Sequence, residues 1–140
     1  GYENIFLSGM LLGFSEKQIQ EKIDEIIEFS ELREFINKPV RTYSSGMYSK
    51  LAFSITSILE TDILLIDEIL SVGDLAFKQK SFNKMKELIE NEEKTVIIVS
   101  HSIELLKELC NKMLWIDNGV KKMYGNTDEV LDKYIKTMSM

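Results

Sequence analysis

The pattern of apolar and polar positions changes character near the single proline, Pro39. Before it, apolar residues recur three and four positions apart, the spacing of one helix face. One set consists of four isoleucines: Ile19, Ile23, Ile26 and Ile27. Ser15 precedes this set and forms the sequence of a capping box with Gln18. The stretch 4–14 is also apolar and predicts a short helix that ends near Gly13, so the whole segment is predicted to be helical.

After Pro39, short continuous apolar runs alternate with segments of helical period. The runs at 63–66 and 95–99 are predicted to be buried strands. Helices are predicted at about 47–60, 75–91 and 103–111. Alternation of such strands with helices is typical of a parallel sheet that is covered on both faces. The predicted fold class is therefore α/β.

The end of the chain predicts a hairpin followed by a helix. Met113–Asp117 and Val120–Tyr124 flank the pair Asn118-Gly119, which favours a two-residue hairpin turn. Thr127 is predicted to cap the last helix, because acidic residues follow it in the first turn, where the helix dipole favours them.

Composition excludes several classes of protein. The chain has 140 residues, 44% of them apolar, and a net charge of −6 without a basic stripe, so no nucleic-acid partner is expected. Cys110 is the only cysteine, which excludes a disulfide framework and favours a reducing compartment. No apolar run approaches the roughly 18 residues of a membrane span, and the N-terminus lacks the pattern of a signal peptide. A cytoplasmic protein is expected.

Candidate chemistry lies where the two predicted strands end, because ligands bind at the carboxyl ends of parallel strands. Asp67 and Glu68 follow the first strand. An aspartate there can hold magnesium through water, and the next glutamate can polarise an attacking water. His101, the only histidine, follows the second strand and can donate to a phosphate or orient a water. The alternatives are a strand that happens to end in acids and a purely structural histidine.

A third candidate is the segment Tyr43–Met47, in which small residues precede a helix. The free N–H groups and the dipole at such a helix start bind anions. Gly46 permits a ligand to approach the backbone closely. Plain capping of the helix by serine is the alternative for this segment.

Taken together, the three elements resemble the ATP-binding domain of ABC transporters. Tyr43–Met47 is similar to the signature motif, Ile63–Glu68 to the Walker B strand, Ser71–Asp74 to the D-loop, and His101 to the switch histidine. The resemblance covers essentially the whole chain. The stretches YSSGM, LLIDEILSVGD and SHS are most similar to the ATPase subunits of bacterial exporters of O-antigen and teichoic-acid-type polymers.

Three positions depart from the usual motifs. Ser45 replaces the first signature glycine, Met47 replaces the signature glutamine, and Gly73 replaces the usual leucine of the D-loop. These changes look typical of the exporter branch.

The resemblance implies a role for each candidate residue and two cofactors, ATP and Mg²⁺. Asp67 would bind the metal ion through water, Glu68 would be the general base, and His101 would contact the γ-phosphate. The residues expected to touch a nucleotide held by a partner subunit are Tyr43, Ser44, Ser45, Gly46 and Met47. The D-loop residues Ser71 and Asp74 would act at the dimer interface, where Asp74 would reach across.

The resemblance also implies partners and a location. Two ATPase subunits would dock head to tail, and the helical segment Tyr2–Lys38 would bear on a transmembrane permease. The subunit would then lie in the cytoplasm, peripheral on the inner face of the cell membrane. Residues 1–60 would form a helical subdomain that ends in the signature helix, and residues 61–140 the C-terminal part of the ATPase core.

The phosphate-binding half of such a domain is missing from the sequence. A P-loop needs Gly-Lys followed by Ser or Thr. None of the seven glycines is followed by lysine. The chain is therefore expected to be a partial P-loop NTPase fold with negligible ATPase activity alone. A sheet that lacks its phosphate-loop strand has an open edge, so the fragment is expected to swap elements, to self-associate or to close the gap by rearrangement.

Two other functions fit the residues. A non-catalytic interaction module would use the helical segment and the signature helix to bind a partner ATPase or permease. A structural-maintenance ATPase head shares the signature and Walker B logic but needs a long coiled coil, and no heptad run is present.

Overall fold

A computed structural model of the protein describes residues 1–67 and 73–138. They form two compact units, Gly1–Ile97 and Ile98–Met140. The helices are α1 (Tyr2–Leu11), α2 (Glu16–Ser30), α3 (Ser45–Leu59), α4 (Leu75–Glu90), α5 (Ile103–Leu109) and α6 (Thr127–Met138). The strands are β1 (Ile63–Asp67), β2 (Thr95–Val99), β3 (Lys112–Asp117) and β4 (Val120–Asn126). The predicted α/β class is confirmed.

The first unit contains a hydrophobic core built between α1, α2 and α3. Its buried members are Ile5, Ile19, Ile23, Ile26, Ile27, Leu32, Ile36, Leu51, Ile55, Ile58 and Leu59. The four isoleucines predicted to share one face of α2 are all in this core. Gly9 lets α1 approach α2 closely, because a Cβ at that position would lie 2.6 Å from Cδ1 of Ile19. The apolar positions that recur with helical period before Pro39 are therefore buried in a hydrophobic core.

The predicted capping box begins α2. The Ser15 hydroxyl accepts a hydrogen bond from the Gln18 backbone N–H at 3.3 Å, and the Gln18 side chain accepts from the Ser15 N–H at 2.8 Å. Two otherwise unpaired N–H groups are thereby satisfied. This prediction is confirmed.

Two helices end on a glutamate in the left-handed region, Glu31 after α2 with φ 60° and Glu60 after α3 with φ 55°. Each carboxylate contacts lysines of later segments. Glu31 pairs with Lys50 at 2.8 Å, and Glu60 pairs with Lys94 at 3.6 Å and with Lys84 at 3.9 Å. A backbone conformation that usually favours glycine is thus adopted at both helix ends by glutamates. Their ion pairs connect each helix end to later segments of the chain.

Strands β1 and β2 form a two-stranded parallel sheet, and the prediction that both are buried is wrong. Along β1, Leu64 and Ile66 are buried, whereas Ile63 and Leu65 are 62% and 70% exposed. On β2, Ile97 is 50% exposed. The apolar pattern is the one that a strand needs when both faces are covered, but the described residues of this unit cover only one face.

The second unit consists of α5, the hairpin β3–β4 and α6. Asn118 and Gly119 both have positive φ, 50° and 76°, so the predicted two-residue turn is confirmed. The strand register shifts between Trp115 and Ile116, where β4 contains one extra residue. Trp115 packs edge-on against Tyr134 of α6, with ring centroids 5.5 Å apart. The hairpin is therefore fixed to the last helix.

The predicted cap of α6 is wrong by one residue. Thr127 is the first residue of the helix, and its hydroxyl donates to the Cys110 carbonyl oxygen at 2.7 Å. Asn126 caps instead, because its Oδ1 accepts from the Asp128 N–H at 3.0 Å. Because the threonine hydroxyl is hydrogen-bonded to a residue distant in sequence, the preceding asparagine caps the helix.

Other boundaries differ by one or two residues. Helix α3 starts at Ser45 rather than near residue 47, and α5 ends at Leu109 rather than near residue 111.

Within residues 1–67 and 73–138, none of the helices combines the length and apolar character that a bilayer span requires. The compact units divide after Ile97, whereas the organisation predicted from sequence divides the chain after residue 60.

Candidate functional site

The start of α3 presents three small residues. Ser44 is the N-cap, and its hydroxyl accepts a hydrogen bond from the Met47 N–H at 3.2 Å. Ser44 and Ser45 are exposed, and Gly46 is half-buried in the first turn. Among the described residues, a Cβ added to Gly46 would have only the Ser44 hydroxyl within 4 Å, at 3.9 Å. The described residues thus leave space beside the backbone of the first turn.

The two outer residues of the same segment hold it in place. Tyr43 and Met47 pack against the helical core. The Tyr43 hydroxyl also donates to the Phe35 carbonyl oxygen at 2.8 Å, and burial raises the pKa of this phenol. Tyr43 and Met47 therefore anchor the segment, while Ser44, Ser45 and Gly46 form its outward part.

The two cations near this helix start differ in their surroundings. Arg41 is exposed, whereas Lys50 is turned towards two carboxylates, Glu31 at 2.8 Å and Asp74 at 2.9 Å. Most of the positive charge of Lys50 is therefore offset by these partners.

Asp67 is the last residue of β1, and its side chain is exposed. The residue before it, Ile66, is only 4% exposed, so the backbone that carries the carboxylate is held by packing. Glu68 and Ser71, the predicted base and the first D-loop residue, lie outside the described residues. In the part of the chain that is described, no group of three or more histidine, cysteine, aspartate or glutamate residues is arranged to hold a metal ion.

Asp74 is the N-cap of α4, and both of its carboxylate oxygens are engaged. Oδ1 accepts from the Phe77 N–H at 2.9 Å, and Oδ2 accepts from the Lys50 ammonium at 2.9 Å. The hydrogen bond from Lys50, followed by that from Phe77, lowers the pKa of Asp74 to about 2. Gly73 before it has φ +91°, a conformation that other residues rarely adopt. The predicted D-loop aspartate is thus held by contacts within its own chain.

His101 lies in the second unit, between β2 and α5, and is exposed. The residues on either side of it shape the loop. The Ser102 N–H donates to the Ser100 hydroxyl at 3.1 Å, and the Ser102 hydroxyl caps α5 by accepting from the Leu105 N–H at 3.3 Å. The predicted position of the histidine, after a strand and before a helix, is confirmed.

Sequence reasoning missed Glu31 as part of this region. The structure brings it together with Lys50 and Asp74 beside the predicted signature helix. No local motif marks Glu31, since it lies 19 residues from its lysine partner. Its position directly after a long amphipathic helix was the only signal, and it indicates a helix end rather than a site.

Comparison with known proteins gives a consistent set of relatives, although no family model matches the chain. It is 49% identical over 134 residues to the teichoic acids export ATP-binding protein TagH of Staphylococcus haemolyticus, covering 96% of this chain and 50% of that protein. It is 44% identical over 140 residues to the O-antigen export system ATP-binding protein RfbB of Myxococcus xanthus, covering 100% of this chain and 32% of that protein.

Solved structures show the same fold at lower sequence identity. The ATP-binding subunit of an ABC transporter superposes with a TM-score of 0.82 at 20% identity, over 95% of this chain and 55% of that one. A dimeric ATP-binding cassette in a post-hydrolysis state, bound to ADP and Pi, gives a TM-score of 0.71 at 21% identity, over 90% of this chain and 56% of that one.

The chain spans about half the length of the Staphylococcus relative and of these solved domains. The share is smaller for the Myxococcus relative, at 32%. Over its whole length, the chain is thus homologous to a part of the ATP-binding subunits of ABC transporters, of the kind named for the export of teichoic acid and O-antigen.

Proposed function

We propose that this chain is the part of a polysaccharide exporter's ATP-binding subunit that presents the start of α3 to an ATP held by a second subunit. One observation carries the proposal. The first turn of α3 is exposed at Ser44 and Ser45 and contains a glycine beside which the described residues leave room. Glycine in a helix costs about 0.5–1 kcal/mol relative to alanine, so its presence where none of the described residues crowds it favours a role in binding.

The chemistry of this helix start suits a triphosphate. Its first N–H groups have no partner within the helix, and the dipole adds positive potential there. The hydroxyl hydrogens of Ser44 and Ser45 can also be donated to phosphate oxygens. Gly46 lets those oxygens approach the backbone. Since Tyr43 and Met47 pack against the helical core, the segment is held ready in position.

Asp67 fits the role of the magnesium aspartate, because it is an exposed carboxylate at the carboxyl end of a parallel strand. Magnesium retains several waters and needs only one or two protein carboxylates, so Asp67 can serve even though the described residues form no cluster of acids around it. Bound magnesium would supply positive charge to the phosphates. Glu68 would accept a proton from the attacking water, and His101 would donate to the γ-phosphate.

The chain alone is proposed to be inactive. Phosphate binding in P-loop enzymes depends on the amides and lysine of a loop that this sequence does not contain. Isothermal titration of the chain with Mg-ATP should give no binding in the micromolar range. A measured micromolar dissociation constant would contradict the proposal that the chain alone does not bind ATP.

The decisive experiment is a Glu68→Gln substitution in the complete subunit that contains this chain. The proposal expects loss of ATP hydrolysis with retention of ATP binding, because the substitution removes the base and keeps the shape. Glu92→Gln is a matched control at an exposed position of the α4–β2 connection. Unchanged hydrolysis in the Glu68→Gln variant would exclude Glu68 as the general base.

The proposed partners are a second ATP-binding subunit, docked head to tail, and a transmembrane permease. Residues 1–60 would form the subdomain facing the permease, with Tyr2–Lys38 in contact, and residues 61–140 would belong to the ATPase core. The subunit would sit on the cytoplasmic side of the membrane. The support is the homology to export subunits, together with the fold shared with a dimeric cassette.

A second candidate, a non-catalytic interaction module, is favoured by the exposed apolar face of the β1–β2 sheet. Ile63, Leu65 and Ile97 are each at least half exposed there, which is unusual for strands of this composition. Such a face favours association with a partner ATPase or with a second copy of the chain. ATP hydrolysis that is unaffected by Glu68→Gln would favour this candidate, because this chain would then not supply the catalytic base.

A further inference from the structure

Lys50 lies on α3, one helical turn after Gly46, and connects three segments of the first unit. Its ammonium donates to Glu31 at the end of α2, at 2.8 Å, and to Asp74 at the start of α4, at 2.9 Å. The lysine side chain is only 13% exposed, whereas Glu31 and Asp74 are 41% and 61% exposed. The cation is therefore the enclosed member of the cluster.

The surroundings of Lys50 are shaped to receive it. Its Nζ lies 4.8 Å from the centroid of the Phe77 ring, within the range of a cation–π contact. A Cβ on Gly73 would come within 3.3 Å of the lysine Cε, so the glycine also leaves space for the side chain. Burial alone would lower the pKa of Lys50, but its hydrogen bonds to Asp74 and Glu31 outweigh this, and the pKa is raised.

The three connections are not equivalent. Glu31 has a second cation, because the Lys80 ammonium lies 3.6 Å from its other oxygen. For Asp74, Lys50 is the only cation to which the described residues pair it, and the other contact is the Phe77 N–H. Loss of Lys50 would therefore affect Asp74 more than Glu31.

We propose that Lys50 is a positioning residue, which fixes the loop residue Asp74 and the end of α2 to the signature helix so that the start of α3 and the start of α4 move as one. The inference rests on the proposed function, under which the start of α3 and the start of α4 both belong to a nucleotide site. A phosphate drawn to Ser44–Gly46 would then also set the position of Asp74.

The test uses amide hydrogen exchange of the whole chain, followed by NMR at Phe77 and Met47, whose N–H groups report the starts of α4 and α3. Lys50→Gln should speed exchange at Phe77 by about tenfold, since hydrogen bonds to charged groups are among the stronger ones. Asp74→Asn keeps a capping oxygen but loses the charge. It should speed exchange at Met47 by at least about twofold in the wild-type background and add nothing in the Lys50→Gln background.

The controls separate this role from ordinary stabilisation. Lys22→Gln removes an exposed ion pair of similar length, with Glu25 at 2.8 Å, and should leave both amides unchanged. Lys50→Arg retains a cation and should keep the titration of Asp74 near its low value, whereas Lys50→Gln should move it upward. If Asp74→Asn affects Phe77 but leaves Met47 at the wild-type rate, the inference is overturned, even where Lys50→Gln fails to fold. Failure of the nucleotide site would not alter these rates, so the two proposals fail separately.

Discussion

The helices α1–α3 and the strands β1 and β2 are both rich in isoleucine and leucine, yet they use these residues differently. In the helical core, Ile5, Ile19 and Ile26 are fully buried. In β1, Leu65 is 70% exposed. The difference does not lie in composition but in what surrounds each element: the three helices cover one another, whereas the sheet has one face that the described residues do not cover.

The stability of the two regions therefore depends on neighbouring structure to different degrees. A helical core that is closed within one segment derives its stability from its own contacts. A strand that is apolar on both faces is adapted to burial on both, and its sequence reflects a sheet with a second layer. The helical region should therefore dominate the stability of the chain, and the sheet should dominate its associations.

The largest effect is expected from truncation in the helical core. Ile26→Ala should destabilise the chain by about 3 kcal/mol, because a fully buried side chain is replaced by a cavity. Leu65→Ala, which removes an exposed side chain, should change the free energy of unfolding by less than about 0.5 kcal/mol. Urea unfolding measures both. Equal losses in the two variants would remove the distinction between the regions.

A smaller effect is expected on association through the sheet. Replacing Ile63 and Leu65 together by threonine, which retains a preference for strands, should weaken self-association by about tenfold or more, since apolar area no longer drives it. Leu11→Gln is the control, because that leucine is 80% exposed but lies on α1. Sedimentation velocity over a range of concentrations gives the readout, and a stronger effect of the control would assign association to the helices.

Two glycines differ in the space around them, so the addition of one methyl group to each should have different effects on stability. Gly9→Ala should cost about 1 kcal/mol, because overpacking against Ile19 exceeds the gain in helix propensity. Gly46→Ala should leave the isolated chain as stable or up to about 1 kcal/mol more stable, since among the described residues its Cβ meets only the Ser44 hydroxyl, at an unstrained 3.9 Å. In the complete subunit the same Gly46 substitution should impair ATP hydrolysis. A destabilised Gly46→Ala chain would give that glycine a structural role.

The smallest effect concerns acid. Because the pKa of Asp74 is lowered from 3.8 to about 2 in the folded chain, its contribution to stability is fully present above about pH 4 and disappears as the pH falls through about 2. The difference in unfolding midpoint between wild type and Asp74→Asn should follow this window. Titration of the carboxyl carbon by NMR measures the pKa directly. A midpoint difference that persists below pH 2 would mean that charge is not its source.

Features set by nearby residues could be predicted from the sequence. The capping box of Ser15 and Gln18 and the turn at Asn118-Gly119 depend on a few adjacent positions, and both are confirmed. The start of the helix after Ser44 was placed within two residues for the same reason. The predicted roles of the site residues stay predictions, and Glu68 and Ser71 lie outside the described residues.

Features that depend on distant residues could not be predicted. Thr127 and Asn126 are both good caps, and only the contact with Cys110 decides between them. The partners of Lys50 lie 19 and 24 residues away, so no local pattern marks its two ion pairs. The exposure of one face of β1 likewise depends on what packs against the strand, which its own alternation does not encode.

The glutamates that end α2 and α3 have a consequence for how the chain responds to ionic strength. Glu31 and Glu60 keep a left-handed backbone that glycine would adopt more easily, and each is held by lysines rather than by apolar packing. At 1 M salt, charges are screened beyond about 3 Å, and partly buried pairs are screened less than exposed ones. The 2.8 Å pair of Glu31 with Lys50 lies within that distance, whereas the contacts of Glu60 with Lys94 and Lys84, at 3.6 and 3.9 Å, lie beyond it. Concentrated electrolyte should therefore weaken the contacts at the end of α3 more than those at the end of α2, while the buried isoleucines of the core are unaffected by screening.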